Sequence, residues 1–271
     1  TDADLVVADH AAAAALGRAI EATPAAAAAI VQCLRAGAAL DPMAGLMLES
    51  ITLAALQGSG EHARWLDGRR SPVLVEPGTL AMTRTNGMLD LRIDRPAARN
   101  AIDRAMRDAL FDAFTLAAID RDIARIRLTA TGRCFGIGAD LAEFGTTRDP
   151  LTAHRIRLRT LPAWPLLRRH GTVDVHVQGA CIGSSLELAA FADRLTATSD
   201  AWFQLPECAM GIMPGFGGTV SIPRRIGRQR AAKLMLSGRR IGARAAMAIG
   251  LIDAIVDDPA GDDRRVDALG R

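Results

Sequence analysis

Two glutamates and three turns of small residues are the parts of this sequence best suited to chemistry. Residues 173–187 read as a short buried strand, a tight turn, and a helix that opens near Gly183. Gly179 and Gly183 let the backbone turn sharply and leave room for something to approach it. A helix opening there aims unpaired N–H groups and the positive end of its dipole at that space. Glu187 lies one turn further on, within reach of whatever those N–H groups hold. Donors for a developing negative charge with a carboxylate beside them suit chemistry at a carbonyl. Two more segments join this one: Gly136-Ile137-Gly138-Ala139-Asp140, after a strand, and Gln204-Leu205-Pro206-Glu207, which puts a second carboxylate at a strand end. Strand ends that open toward helices are where α/β folds hold ligands.

A rival motif occupies the same stretch. Gly179-Ala180-Cys181-Ile182-Gly183 fits the nucleophile elbow of an α/β-hydrolase. That fold needs a histidine after the nucleophile, and His10, His62, His154, His170 and His176 all precede Cys181. His176 alternates with Val175 and Val177, as a structural histidine on a strand face does. Cys33, Cys134, Cys181 and Cys208 form no CxxC pair and no metal-like spacing, so free thiols and no metal are expected.

These side chains must be positioned by an α/β scaffold. The chain has 271 residues, 49% hydrophobic but only 4% aromatic, so Ala, Leu, Ile and Val must fill the core. Residues 1–70 read as helices: 4–22, a second opened by Thr23-Pro24 and closed by Gly37, a third opened by Asp41-Pro42, and a short one around Trp65. Prolines and glycine at 71–78 mark a linker. Then 79–84 and 88–93 alternate around Asn86-Gly87, a strong hairpin signal. A helix at 103–118, a strand at 123–130, an arginine-dense helix at 152–169 broken by Pro162 and Pro165, and short strands at 194–198 and 201–205 follow. Residues 211–218 read as a glycine-rich loop, 228–236 and 243–248 as helices, and 251–256 as a last strand. Strands alternating with helices indicate α/β architecture. No run approaches a membrane span and no basic leader opens the chain, so a cytoplasmic protein is expected, with no membrane partner. The net charge of +3 rests almost wholly on scattered arginines, Lys233 being the only lysine. Without clusters or interleaved aromatics this is no nucleic-acid signature.

Five segments in order resemble the crotonase (enoyl-CoA hydratase/isomerase) superfamily: Asp94-Arg95-Pro96 with Asn100-Ala101; residues 134–141; residues 178–183; residues 205–219, from Leu205-Pro206-Glu207 to Gly217-Gly218-Thr219; and Gly250-Leu251-Ile252-Asp253. The resemblance implies a crotonase-like ββα spiral core over 71–257, with an N-terminal helical extension (1–70), no full C-terminal helical region, and a polar tail (258–271). It implies an acyl-CoA thioester, of the kind met in fatty acid metabolism, whose carbonyl oxygen sits in an oxyanion hole between the N–H groups of Ala139 and Ser184. Glu187 would orient and deprotonate water and Glu207 would deliver a proton. Arg99, Ala101, Gly138, Asp140, Leu141 and Gly183 would contact the substrate, although Asp140 also reads as a structural cap. No separate cofactor is implied, CoA being part of the substrate, and the assembly would be a homotrimer or dimer of trimers. The usual triple glycine here reads Gly183-Ser184-Ser185, which narrows the hole but keeps its N–H. An isomerase, thioesterase or decarboxylase could use the same scaffold, and a non-catalytic acyl-CoA-binding subunit is the reading from another class. Because the family's C-terminal helices are missing, the apolar residues of the N-terminal helices (Leu34, Leu40, Leu46, Leu48, Ile51, Leu53, Leu56) are expected to pack near the acyl pocket.

Overall fold

The computed structural model describes residues 3–69 and 75–257; the first half of the expected linker and the expected polar tail lie outside them. In chain order the elements are α1 (His10–Ala22), α2 (Pro24–Gly37), α3 (Pro42–Gln57), α4 (Gly60–Asp67), β1 (Thr79–Thr85), β2 (Met88–Asp94), α5 (Arg104–Ile119) and β3 (Arg125–Ala130). Next come α6 (Pro150–Thr160), α7 (Ala163–Leu166), β4 (Thr172–Val177), β5 (Ala180–Ile182), α8 (Ser184–Ala189), β6 (Arg194–Ala197) and β7 (Trp202–Gln204). The last are α9 (Gly218–Ile226), α10 (Arg228–Ser237), β8 (Ile241–Gly242), α11 (Ala243–Ala248) and β9 (Ala254–Ile255).

The Asn86-Gly87 turn has positive φ at both residues and joins β1 to β2 antiparallel, as a two-residue hairpin of this composition should. The remaining strands of the larger sheet add in parallel, in the order β1-β2-β3-β4-β6-β9, while β5, β7 and β8 form a second, smaller sheet. The chain spirals between the two. From β4 it passes through Gln178-Gly179 to β5, and from β6 through a short turn to β7, each time leaving the large sheet for the small one. This is the mixed α/β architecture that the resemblance implies. Leu89, Leu91 and Ile93 on β2 share one core with Met106, Leu110 and Phe114 of α5.

The N-terminal helices belong to that same hydrophobic cluster. α2 packs on α9 and α10, α3 packs on α6 and α9, and α4 meets the 3₁₀ turn Glu207–Met210. Leu34, Leu46, Leu53 and Leu56 are buried and Leu48 partly so, as their pattern requires. Leu40 and Ile51 are not: they are 41% and 53% exposed. The buried side of α3 runs through Leu46, Glu49, Ser50, Leu53 and Ala54, and Ile51 falls off that stripe by helical geometry.

Three expectations on element bounds need correction. α1 begins at His10, because Asp9 caps it by accepting from Ala12 N at 2.8 Å. The last strand shortens to Ala254–Ile255. The glycine-rich loop also ends in a helix the pattern hid, α9, which starts at Gly218 and contains Pro223. Both features argue against a helix in sequence. Its first amides are instead satisfied by buried carboxylates from elsewhere in the fold.

Candidate active site

Two turns are locked side by side where the sheets meet. Gly136 N donates to Ala180 O and Ile182 N to Gly136 O, both at 3.0 Å, a parallel bridge between the 136–140 turn and β5. Gly138 N donates to Ser185 Oγ at 3.2 Å, so the serine that replaces a glycine here fastens one turn to the other. Ile102 N donates to Gly138 O and Asp140 N to Ile102 O, both at 2.8 Å. That bridge leaves the intervening Ala139 N–H without an acceptor among the described residues. The N–H of Ser184, first residue of α8, is likewise unengaged, as an opening helix leaves it.

Gly183 has φ +51°, and a Cβ placed on it would lie 2.6 Å from Glu207 Oε1. Glycine at this position therefore lets the Pro206-Glu207 turn close against the start of α8. Gly138, Ala139, Leu141, Gly183, Ser184, Glu187 and Glu207 all line one cavity of about 180 Å³. Arg99, Ala101 and Asp140, expected to contact substrate, do not line it. Arg99 faces a neighbouring recess with Arg133, Trp202 and Arg240. Ala101 is buried, its carbonyl accepting from Arg95 Nη1 at 3.1 Å. Asp140 pairs with the same Arg95 nitrogen at 2.6 Å and caps the following turn through Ala142 N at 2.9 Å. Its side chain is thus committed to the scaffold.

Both glutamates are buried, Glu187 at 1% and Glu207 at 9% exposure. Glu187 Oε2 accepts from Phe216 N at 2.6 Å and Gly218 N at 2.8 Å, donors that favour its anion. Glu207 Oε2 is buried with no partner among the described residues, so its surroundings favour the neutral acid. Burial pushes the Glu207 carboxyl up to about 8, helped by the nearby charge of Glu49. Burial raises Glu187 well above the carboxylate range too, and the charges of Glu49 and Glu207 add to it. Carboxyls this close cannot all ionise together; they titrate as a set.

The rest of the cavity comes from residues the sequence pattern did not single out, apart from Leu53, which was expected near the acyl pocket. α3 supplies Leu53 and Gln57, α6 supplies Arg157 and Thr160, and Phe144, Met210 and Phe216 close the wall. Arg157 is held by neutral acceptors: Nε donates to Ser50 Oγ at 3.0 Å, Nη2 to Ser50 O at 3.0 Å, and Nη1 to Gln57 Oε1 at 2.9 Å. Burial lowers its pKa to about 10. Glu49 on α3 is the other omission, and one signal marked it: it is a lone charge on the helix face of Leu46 and Leu53. His176 behaves as expected of a structural histidine, bonding Thr196 Oγ1 at 2.9 Å, and all four cysteines are free and buried.

Residues 83–265 match the sequence model of the enoyl-CoA hydratase/isomerase family. The chain is similar to 2,3-dehydroadipyl-CoA hydratase of Escherichia coli strain K12, 35% identical over 177 residues, spanning 65% of this chain and 68% of that protein. Among solved structures it is similar to an enoyl-CoA hydratase of Thermoplasma volcanium, with 34% identity, a TM-score of 0.63, and coverage of 70% of this chain and 76% of the other. An enoyl-CoA hydratase of Mycobacterium smegmatis is similar at 28% identity and TM-score 0.61, over 70% and 74% of the two chains.

Proposed function

Because the chain belongs to the enoyl-CoA hydratase/isomerase family, we propose that it catalyses the reversible addition of water to the 2,3 double bond of a short 2-enoyl-CoA thioester. The observation that carries this reading is the pair of buried carboxyls, Glu187 and Glu207, in one cavity with the free N–H groups of Ala139 and Ser184. The thioester oxygen sits between those two N–H groups, which stabilise the enolate as it forms; each such donor contributes ~3–4 kcal/mol at the transition state. Glu187, held by two anion-favouring amides, takes a proton from water as it attacks C3. Glu207, whose raised carboxyl keeps its proton near neutral pH and whose Oε2 is left without a partner, delivers a proton to C2. An isomerase needs only one such group, so the second buried carboxyl favours hydration.

Cavity size and charge narrow the substrate. A volume of about 180 Å³ is below the ~300–1,000 Å³ that drug-sized ligands fill, which suits a short acyl group. Arg157 lines it, its direct hydrogen bonds among the described residues going to Ser50 and Gln57 and not to a carboxylate. Glu49 is near enough to act on it through charge but makes no direct ion pair, and its hydrogen bonds go to neutral acceptors, so a largely desolvated guanidinium at the wall favours an anionic guest. The dehydroadipyl relative, whose named substrate ends in a second carboxylate, fits the same expectation. The assembly is proposed to be a trimer or dimer of trimers, working in the cytoplasm and needing no cofactor beyond the CoA of its substrate.

The test is hydration of crotonyl-CoA, a long-chain enoyl-CoA and 2,3-dehydroadipyl-CoA, followed by loss of the enoyl absorbance. Short substrates should be hydrated, with kcat/KM highest for the carboxylate-ended one and that preference collapsing in Arg157→Gln. Hydrolysis to free CoA, or migration of the double bond without hydration, would overturn the reading.

A further inference from the structure

The amides of residues 216–219 are shared alternately between two buried carboxylates from different parts of the chain. Phe216 N and Gly218 N donate to Glu187 Oε2. Gly217 N donates to Glu49 Oε1 at 2.7 Å, and Thr219 N and Thr219 Oγ1 donate to Glu49 Oε2 at 2.8 and 2.7 Å. Glu49 is 1% exposed and lies outside the residues that match the family. Its helix is brought in closely: a Cβ on Gly215 would overlap Cδ2 of Leu53 on α3, so a larger residue there would force that side chain to move.

We propose that Glu49 is a positioning residue for the reaction. From α3 it fixes one half of the amide turn whose other half fixes Glu187, and its charge sets how readily Glu187 gives up a proton. A buried carboxylate normally costs too much to keep without donors. Here three donors hold it, and they hold the loop as well. Four titratable groups face it: Cys33 on α2, Arg157 on α6, Glu187 on α8 and Glu207 on the 3₁₀ turn. Burial raises Glu49 to about 7, while its hydrogen bonds and Arg157 pull the other way. Near neutral pH it therefore carries partial negative charge, which repels charge on Glu187. Arg157 moderates the repulsion from one side, and Cys33, raised to about 11 chiefly by burial, stays neutral.

The inference rests on the hydratase reading for its kinetic arm alone; a ¹³C-carboxyl NMR titration of Glu187 in the ligand-free full chain needs no substrate. In Glu49→Gln the Glu187 titration should move to lower pH, because a like charge is gone, and the acid limb of kcat/KM should move the same way. Loosening of the turn should lower kcat by up to about 10²-fold. Glu49→Asp keeps the charge on a shorter arm, so kcat should fall while the titration stays near that of the wild type. Should Glu49→Gln not fold, Thr219→Val decides. It deletes one hydroxyl that favours the Glu49 anion, so Glu187 should again titrate at lower pH, by less. A Glu187 titration unmoved in both variants would overturn the proposal. A wild type that hydrates no enoyl-CoA, with the titration still moving as stated, would overturn the hydratase reading and leave this one standing.

Discussion

Burial raises both Glu187 and Glu207, and hydrogen bonding then distinguishes them: Glu187 Oε2 accepts from two backbone N–H groups, whereas Glu207 Oε2 has no partner among the described residues. Losing either group should remove one proton transfer. Glu187→Gln and Glu207→Gln are each expected to lower kcat for crotonyl-CoA hydration by roughly 10²–10⁴-fold, with the double variant losing far less than the product, as groups that act together do. Steady-state kinetics at fixed pH measures this. Burial also has a cost in stability, with a definite sign. The Glu207 carboxyl titrates near 8 in the folded protein against 4.5 for a free glutamate. Between those values the folded state keeps a proton that the unfolded chain releases, so the ligand-free protein should lose stability as pH rises through that range. Glu187, raised in the same direction, adds to the slope. Melting temperature against pH should show the fall, and Glu207→Gln should flatten it; an unchanged slope would mean that Glu207 is not the group responsible.

The elements that hold these residues divide into those the backbone requires and those that packing supplies. The 136–140 turn, β5 and the start of α8 are tied by backbone bonds and small residues. α3 is held differently, by Leu46, Leu53 and Leu56 in the core and by Glu49, Ser50 and Gln57 on polar partners. Leu46 is fully buried away from the cavity wall, so Leu46→Ala should destabilise the protein by about 2–5 kcal/mol in denaturant unfolding. A chain beginning at Ser71 would strip the cavity of Leu53 and Gln57, and the Gly217 and Thr219 amides of their acceptor. It should aggregate or lose hydratase activity altogether. A soluble, fully active truncation would show these helices to be dispensable.

For the whole molecule, the outer side of α3 is an exposed apolar surface without a role. Met47 and Ile51, one turn apart, are 38% and 53% exposed, and neighbours at that spacing form a continuous apolar strip. A proposed trimer would cover such a strip. Sedimentation equilibrium should give a mass of at least three chains, and Met47→Glu with Ile51→Glu should shift it toward the monomer without lowering the melting temperature. A wild-type monomer would exclude the assembly.

The hairpin at Asn86-Gly87, the two tight turns and the spacing of Glu187 from Gly183 were legible in the amino-acid order. Their signals are local: a positive φ, a missing Cβ, or one turn of helix states its requirement within a few residues. The N-terminal helices were legible too, through their Thr-Pro and Asp-Pro openings. Their use was not. Glu49 meets Thr219 across 170 positions of sequence, and Arg157 meets Ser50 across 107. Nothing within either segment specifies the other. α9 stayed hidden because its glycines and Pro223 speak locally against a helix, and distant carboxylates supply the partners its first amides need. The apolar stripe of α3 determined that the helix must be buried. The tertiary structure alone decided that Glu49 on that helix is buried against the amides of Gly217 and Thr219, because the energy of a charge out of water depends on donors that only folding brings to it.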